Sequence, residues 1–232
     1  MSAPLPLALS SWPGLGGPLV PRLLEFNLLP SRTLHPARMA QLAPPAGLAE
    51  AAPSVLEALH RRWSARLLDR LGTEAAPVLN LAEPALPLAL AAPALLQRLA
   101  RDLGMMLLGK ALRRLIEREE VLSARAGLGE DAMAWVLDGA MQLHPGMADA
   151  HRWLQAGWAE ASDQLGSGLL AQAWHDAPAP LRQRADWKLP PASEDTEPRT
   201  ASGLAAPQAR ALSLQRLKQM EPAWFFSFPG TH

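Results

Sequence analysis

Cysteine is absent from the 232 residues. Without a thiol there is no disulfide and no thiolate nucleophile, a structural zinc site is not expected, and a reducing compartment is permitted. β-Branched aliphatic residues are nearly as scarce, with five Val and one Ile. Strands draw on those side chains, so the shortage argues against a β-sheet. A surplus of charge is missing too: 22 basic side chains face 22 acidic ones. Proteins that bind nucleic acid usually carry a basic excess, and no nucleic-acid partner is expected here. The short basic clusters at His60-Arg61-Arg62 and Arg113-Arg114 have acids nearby at helical spacing, so they read first as solvated faces. The apolar stretch at 84–96 is too short to span a bilayer and is broken by Pro87 and Pro93. Residues 1–21 carry no charged side chain, so the basic start of a signal peptide is missing. The expectation is a bacterial cytoplasmic chain with no direct membrane insertion.

What is present is Leu and Ala, within an apolar fraction of 49%, punctuated by 23 Pro and 16 Gly. That composition predicts an all-α fold: a compact multi-helix domain with Pro-rich connections, an irregular N-terminal extension and a linker before a short C-terminal helix. Residues 1–24 read as a flexible Pro/Gly-rich extension, 25–189 as the helical domain, 190–206 as a linker, and 207–232 as a C-terminal helix with an aromatic tail. Residues 25–53 should be irregular apart from a short helix near 36–42. A helix is expected over 54–72, opened by a Ser54/Glu57 capping box and closed by Gly72. Its stripe is Leu56, Leu59, Trp63 and Leu67. Residues 73–92 should be irregular, and Pro93 suits a helix's first turn. Met133, Val136, Leu137, Ala140 and Met141 form the stripe of a further helix. Ala150 to Ala173 form another, which Gly166-Ser167-Gly168 could interrupt; the two should pair as a hairpin.

Ahead of both runs the longest Pro-free helical pattern, 95–121. Its apolar face turns by about a quarter of a revolution between Gly104 and Gly109, at roughly 100° per residue. Such a shift calls for a kink, a bulge or burial against more than one neighbour. The same stretch holds GMMLLGKA at 104–111, close to the phosphate-binding pattern G-x-x-x-x-G-K-[ST]. Ala111 replaces the hydroxyl residue and no strand precedes it, so small-residue packing between helices is the simpler reading. A nucleotide-binding or ATPase-regulating protein is the alternative.

Groups for catalysis are few. The six His show no metal-ligand spacing, and no cofactor is expected. His35 and His144 each sit in Leu-His-Pro, where a turn side chain can satisfy backbone groups. Ser167 lies outside any nucleophile elbow. Glu117, Glu119 and Glu120 follow Arg113 and Arg114 at helical spacing, so intrahelical pairs would explain them. Trp224, Phe225, Phe226 and Phe228 form either a docked tail or an exposed partner anchor.

Three segments carry a family resemblance. LARDLGMMLLGKALRRLI resembles the central helix of the SctK (YscK/PscK, OrgA/MxiK) proteins of the type III secretion sorting platform. Phe26-Asn27-Leu28, Pro30 and Leu34-His35-Pro36 are similar to that family's opening, with Thr33 where it often has Tyr; this chain has no Tyr. Leu214 to Gln219 is similar to its Leu/Val-Lys-Gln end. The resemblance implies a non-enzymatic adaptor peripheral to the inner membrane through the injectisome. It would link the SctD-type ring protein to pods of the SctQ-type protein, which carry the SctL-type stator and the SctN-type ATPase. Candidate partner-binding residues are His35, Arg113, Arg114, Trp224, Phe225 and Phe226. A secretion chaperone or generic helical scaffold is the other alternative.

Overall fold

Proline, so frequent in this chain, opens seven of its α-helices. The computed structural model describes residues 18–191 and 202–229. Its α-helices are α1 (Leu19–Leu28), α2 (Pro36–Met39), α3 (Pro53–Leu71), α4 (Leu86–Ala89), α5 (Pro93–Leu112), α6 (Arg118–Leu128), α7 (Glu130–Asp138), α8 (Trp158–Ala173), α9 (Ala179–Asp186), α10 (Ala206–Met220) and α11 (Pro222–Phe225). Tighter 3-10 turns occupy Pro30–Arg32, Gly72–Ala75, Ala140–Gln142 and Ala150–Ala156. No strand forms among the described residues, and the fold is all-α. Proline stands in the first two positions of α2, α3, α4, α5, α9, α10 and α11. There its missing N–H removes no helical bond and its fixed φ suits the helix.

The centre of the molecule is α5. Leu95, Leu96, Leu99, Ala100, every residue from 103 to 109, and Leu112 are buried. The turning apolar face is thus met by burial around the helix: α8, α10 and α7 all pack on it. The crossing with α8 is backbone to backbone. A Cβ added to Gly104 would lie 1.8 Å from the Ser162 carbonyl oxygen, and one added to Gly166 1.6 Å from that of Ala100. Only glycine fits at either position. A third contact comes from the turn at 144–147, where the Met147 N–H donates to the Leu107 carbonyl at 2.7 Å.

A smaller cluster joins Leu34, Trp63 and Leu67, bordered by Met39, Leu42, Leu48 and Trp187. Trp63 and Leu67 are the inner end of the expected stripe. Two buried basic side chains on or next to α9 hold the connection between α3 and α5. Arg184 donates to the carbonyls of Glu74, Ala75 and Pro180. Lys188 donates to those of Ala89 (2.6 Å) and Ala91 (2.5 Å), near the C-terminal end of α4.

The structure corrects several boundaries. The helix α1 starts inside the stretch read as an extension, because Leu19 and Leu23 are buried with Phe26. Residues 1–17 and most of the expected linker (192–201) lie outside the described residues. The helix α3 opens on Pro53 with no side-chain cap, so the Ser54/Glu57 box is not formed; Glu57 pairs with Arg61 instead. Residues 73–92 include α4, which is buried throughout. The central helix ends at Leu112 rather than Val121. The chain turns there and restarts as α6, which buries Ala124 and Leu128 and packs on α8. Ending α7 at Asp138 splits its stripe: Met133, Val136 and Ala140 are buried, but Leu137 and Met141 are 44% and 53% exposed. Gly157, at φ 91°, divides the next element into a 3-10 turn and α8, whereas Gly166-Ser167-Gly168 stays helical. The main partners of α8 are α5 and α10, so the expected hairpin with α7 does not form. The helix α10 is not a separate appendage, since Ala209, Leu217 and Phe228 belong to the main core.

Candidate interaction surface

The candidate residues fall into three groups, anchored to three different segments. The first is His35, which precedes α2. Its Nδ1 accepts from the Ala37 N–H at 3.2 Å, and its own N–H donates to the Trp187 carbonyl at 2.9 Å. Burial, and then the nearby Arg38, push its pKa below the ordinary histidine value, which favours the neutral ring this cap needs. His144 does the same work in its own turn, accepting from the Gly146 N–H at 3.0 Å. Both Leu-His-Pro sites are turn caps.

The second group lies where the chain leaves α5. Arg113 donates to the Pro145 carbonyl at 2.8 Å. Its other terminal nitrogen, near Gly109, is enclosed with no hydrogen-bond partner among the described residues. Arg113 is therefore largely committed to the fold, while Arg114 is exposed. Because the helix has already ended, neither pairs with Glu117, Glu119 or Glu120, contrary to expectation. Two residues on, Ile116 is 92% exposed. It stands beside Arg114 on the exposed turn between α5 and α6.

The third group is the aromatic tail. The Trp224 indole N–H donates to the Pro87 carbonyl at 3.0 Å, and its ring meets Phe228 edge-on at 4.9 Å. Phe228 is fully buried, so the tail is docked and closes the core over α4. Phe225 is half-buried and Phe226 is 39% exposed, with the Lys218 ammonium 5.0 Å from the Phe226 ring. Of the four aromatics, Phe226 is the one presented to solvent.

None of these six residues lines a cleft of about 470 Å³ between α5 and α10, which is lined by Gln97, Arg98, Arg101, Asp102, Arg216 and Met220. Arg216 forms its fixed floor. It donates from Nε and Nη2 to Asp102 Oδ2 at 2.9 and 2.6 Å, and its guanidinium lies 4.0 Å from the centre of the Trp135 ring. Arg98 and Arg101 stand one turn apart on the rim, facing Glu221 (3.0 Å) and Asp163 (3.2 Å). Helical spacing alone sets Arg98, Arg101 and Asp102 on one face of α5. It could not place Arg216 beside them, because that residue is 114 positions from Asp102.

The residues 104–110 form no phosphate loop. They lie within α5, with Gly104 and Gly109 buried, and their amides point along the helix. The nucleotide alternative loses the site it was built on. No helix among the described residues is long and apolar enough to cross a membrane. Comparison with family models, with curated proteins and with solved structures found no match.

Proposed function

We propose that this chain is a non-enzymatic helical adaptor of a type III secretion injectisome, similar in role to SctK. It would join an SctQ-type pod protein, with its SctL-type stator and SctN-type ATPase, to an SctD-type ring protein. The observation that carries this reading is the order and spacing of the three resembling segments. Supporting it, all three contribute to one core: Phe26 from α1, the buried run of α5, and Leu217 from α10. The work is positional. The surfaces offered for it are the corner at Arg114 and Ile116 and the exposed edge of Phe226.

Affinity purification of the tagged protein from its own host, at native expression, tests the assignment. Recovery of the pod protein, stator and ATPase is the expected result. Recovery of none of them, under conditions that preserve known platform complexes, would overturn it. Recovery of exported substrates in their place would point to a secretion chaperone. With partners in hand, Ile116→Asp should remove one of them without lowering the melting temperature, because the side chain it replaces is already in water.

A further inference from the structure

We infer that α1 is a proton-linked flap, seated over Lys188 while that amine is neutral and released when it is charged. The site has acceptors for two donors. Lys188 is 5% exposed, and its Nζ faces the Ala89 carbonyl at 2.6 Å and the Ala91 carbonyl at 2.5 Å. A neutral amine has two N–H groups and fills both positions. Protonation adds a third. For that one the described residues offer the Phe26 ring of α1, with its centre 5.8 Å from Nζ. A buried cation short of partners is costly, and lifting α1 gives it water.

The surroundings compensate the charge poorly. From α1 come Arg22, which opposes it, and Glu25, which favours it, and these two pair with each other at 2.9 Å. Neither α4 nor residues 90–92 carry a titratable group. On α9, Arg182 and Arg184 donate to backbone carbonyls and Asp186 accepts from the Trp174 indole N–H. Arg38 of α2 is bonded to the Leu189 and Pro190 carbonyls. Burial, and then Arg22, push the Lys188 pKa down to about 7, against Glu25. With α1 lifted the amine meets water and binds its proton more tightly. Falling pH therefore favours opening until the closed form is itself protonated, near pH 7.

Of the two elements around the amine, α1 is the one able to move. The helix α4 is buried throughout, and the docked Trp224 is bonded to its Pro87 carbonyl. By contrast α1 buries Leu19, Leu23, Phe26 and Asn27 and leaves Leu24 and Leu28 41% and 49% exposed. Segments with few buried contacts open locally without the rest of the fold. Its C-terminal end is clasped, because the Asn27 amide donates to the Val78 carbonyl at 3.0 Å and accepts the Val78 N–H at 2.7 Å. Asn27 is thus the pivot.

Hydrogen exchange of the full chain, read by mass spectrometry and corrected for the intrinsic pH dependence of exchange, tests the flap. Protection across 19–28 should lie below that across 158–173, since α1 opens without the core. It should fall about tenfold from about pH 8.5 to about pH 7, within what linkage to one proton permits. In Lys188→Met the protection of 19–28 should not depend on pH. Asn27→Ala frees the pivot and keeps the amine, so it should lower that protection at every pH and retain the slope. The same pH slope in the parent chain and in Lys188→Met would overturn the inference. So would equal protection of the two segments, which would make the opening global. Loss of protection at 86–91 with 19–28 unchanged would also overturn it, by making α4 the element that moves.

Discussion

Single residues carry sharply different loads in this chain, and neighbouring glycines show it best. Gly104 and Gly166 sit where α5 and α8 meet, and a methyl group on either would fall inside a carbonyl of the other helix. A methyl on Gly109 would meet the enclosed Nη1 of Arg113 at 3.2 Å and a Val136 methyl at 3.4 Å, contacts that a shift of a few tenths of an ångström relieves. Gly104→Ala and Gly166→Ala should each destabilise by about 1–3 kcal/mol through overpacking. Gly109→Ala should be near neutral, since alanine's better helix propensity, about 1 kcal/mol, offsets the small shift required. Chemical denaturation of the three variants checks the ranking, and equal effects would refute a crossing centred on Gly104 and Gly166. The pattern of small residues was legible in the sequence; which of them touches backbone was not, because that depends on Ser162, far away in the chain. Lys188 was not legible as special at all. Its burial lowers its pKa to about 7, with Arg22 adding to the effect and Glu25 opposing it. A neutral amine has two N–H groups, enough for the two carbonyls it faces. Unfolding raises the pKa towards the ordinary lysine value, so between about pH 7 and 10 the unfolded chain binds more protons than the folded one. Stability from this group should therefore rise with pH across that window. Measured against Lys188→Met, the parent chain should gain relative stability from pH 7 to pH 10; a constant difference would show that the amine keeps its proton.

Elements were legible where an apolar stripe and a backbone signal agreed. The inner stripe of α3, Pro93 at the start of α5, and α10 all follow from such agreement. Failure came in two forms. Gly157 carried a signal, since only a residue tolerant of φ 91° suits that break, yet the stripe ran through it. The end of α5 carried none: neither glycine nor proline marks residue 113, and the stop follows from Arg113 turning onto Pro145 and α6 turning back onto α8. The docked tail is the element with the clearest test. Phe228→Ala should cost about 3–5 kcal/mol, as expected for a fully buried aromatic. Phe226→Ser should stay within about 0.5 kcal/mol, as for a surface position, and reveal itself only in partner binding. If both behaved as surface residues in thermal melts, the tail would not be closing the core.

At the scale of the molecule, the sequence divided what the structure unites. The polar run after residue 190 marked off a C-terminal unit, a reasonable inference from composition alone. Composition reports only that a segment cannot bury itself; it does not report what the helix beyond it packs against. Here α10 lays Ala209, Ser213 and Leu217 against the main body, and its arginines reach back into it: Arg210 to Asp176 and the Ala173 carbonyl, Arg216 to Asp102. If one core is shared, the covalent link at 192–201 is not what holds the two parts together. A protease site placed there and cleaved should leave both pieces co-eluting as one folded species in size exclusion. Melting should become concentration-dependent and begin at a lower temperature, because cleavage turns an intramolecular association into a bimolecular one. Separation of the pieces under native conditions would restore the reading of an independent C-terminal unit. It would also take Arg216 away from Asp102 and the Trp135 ring, so Asp102→Ala should weaken the association of the cleaved pieces.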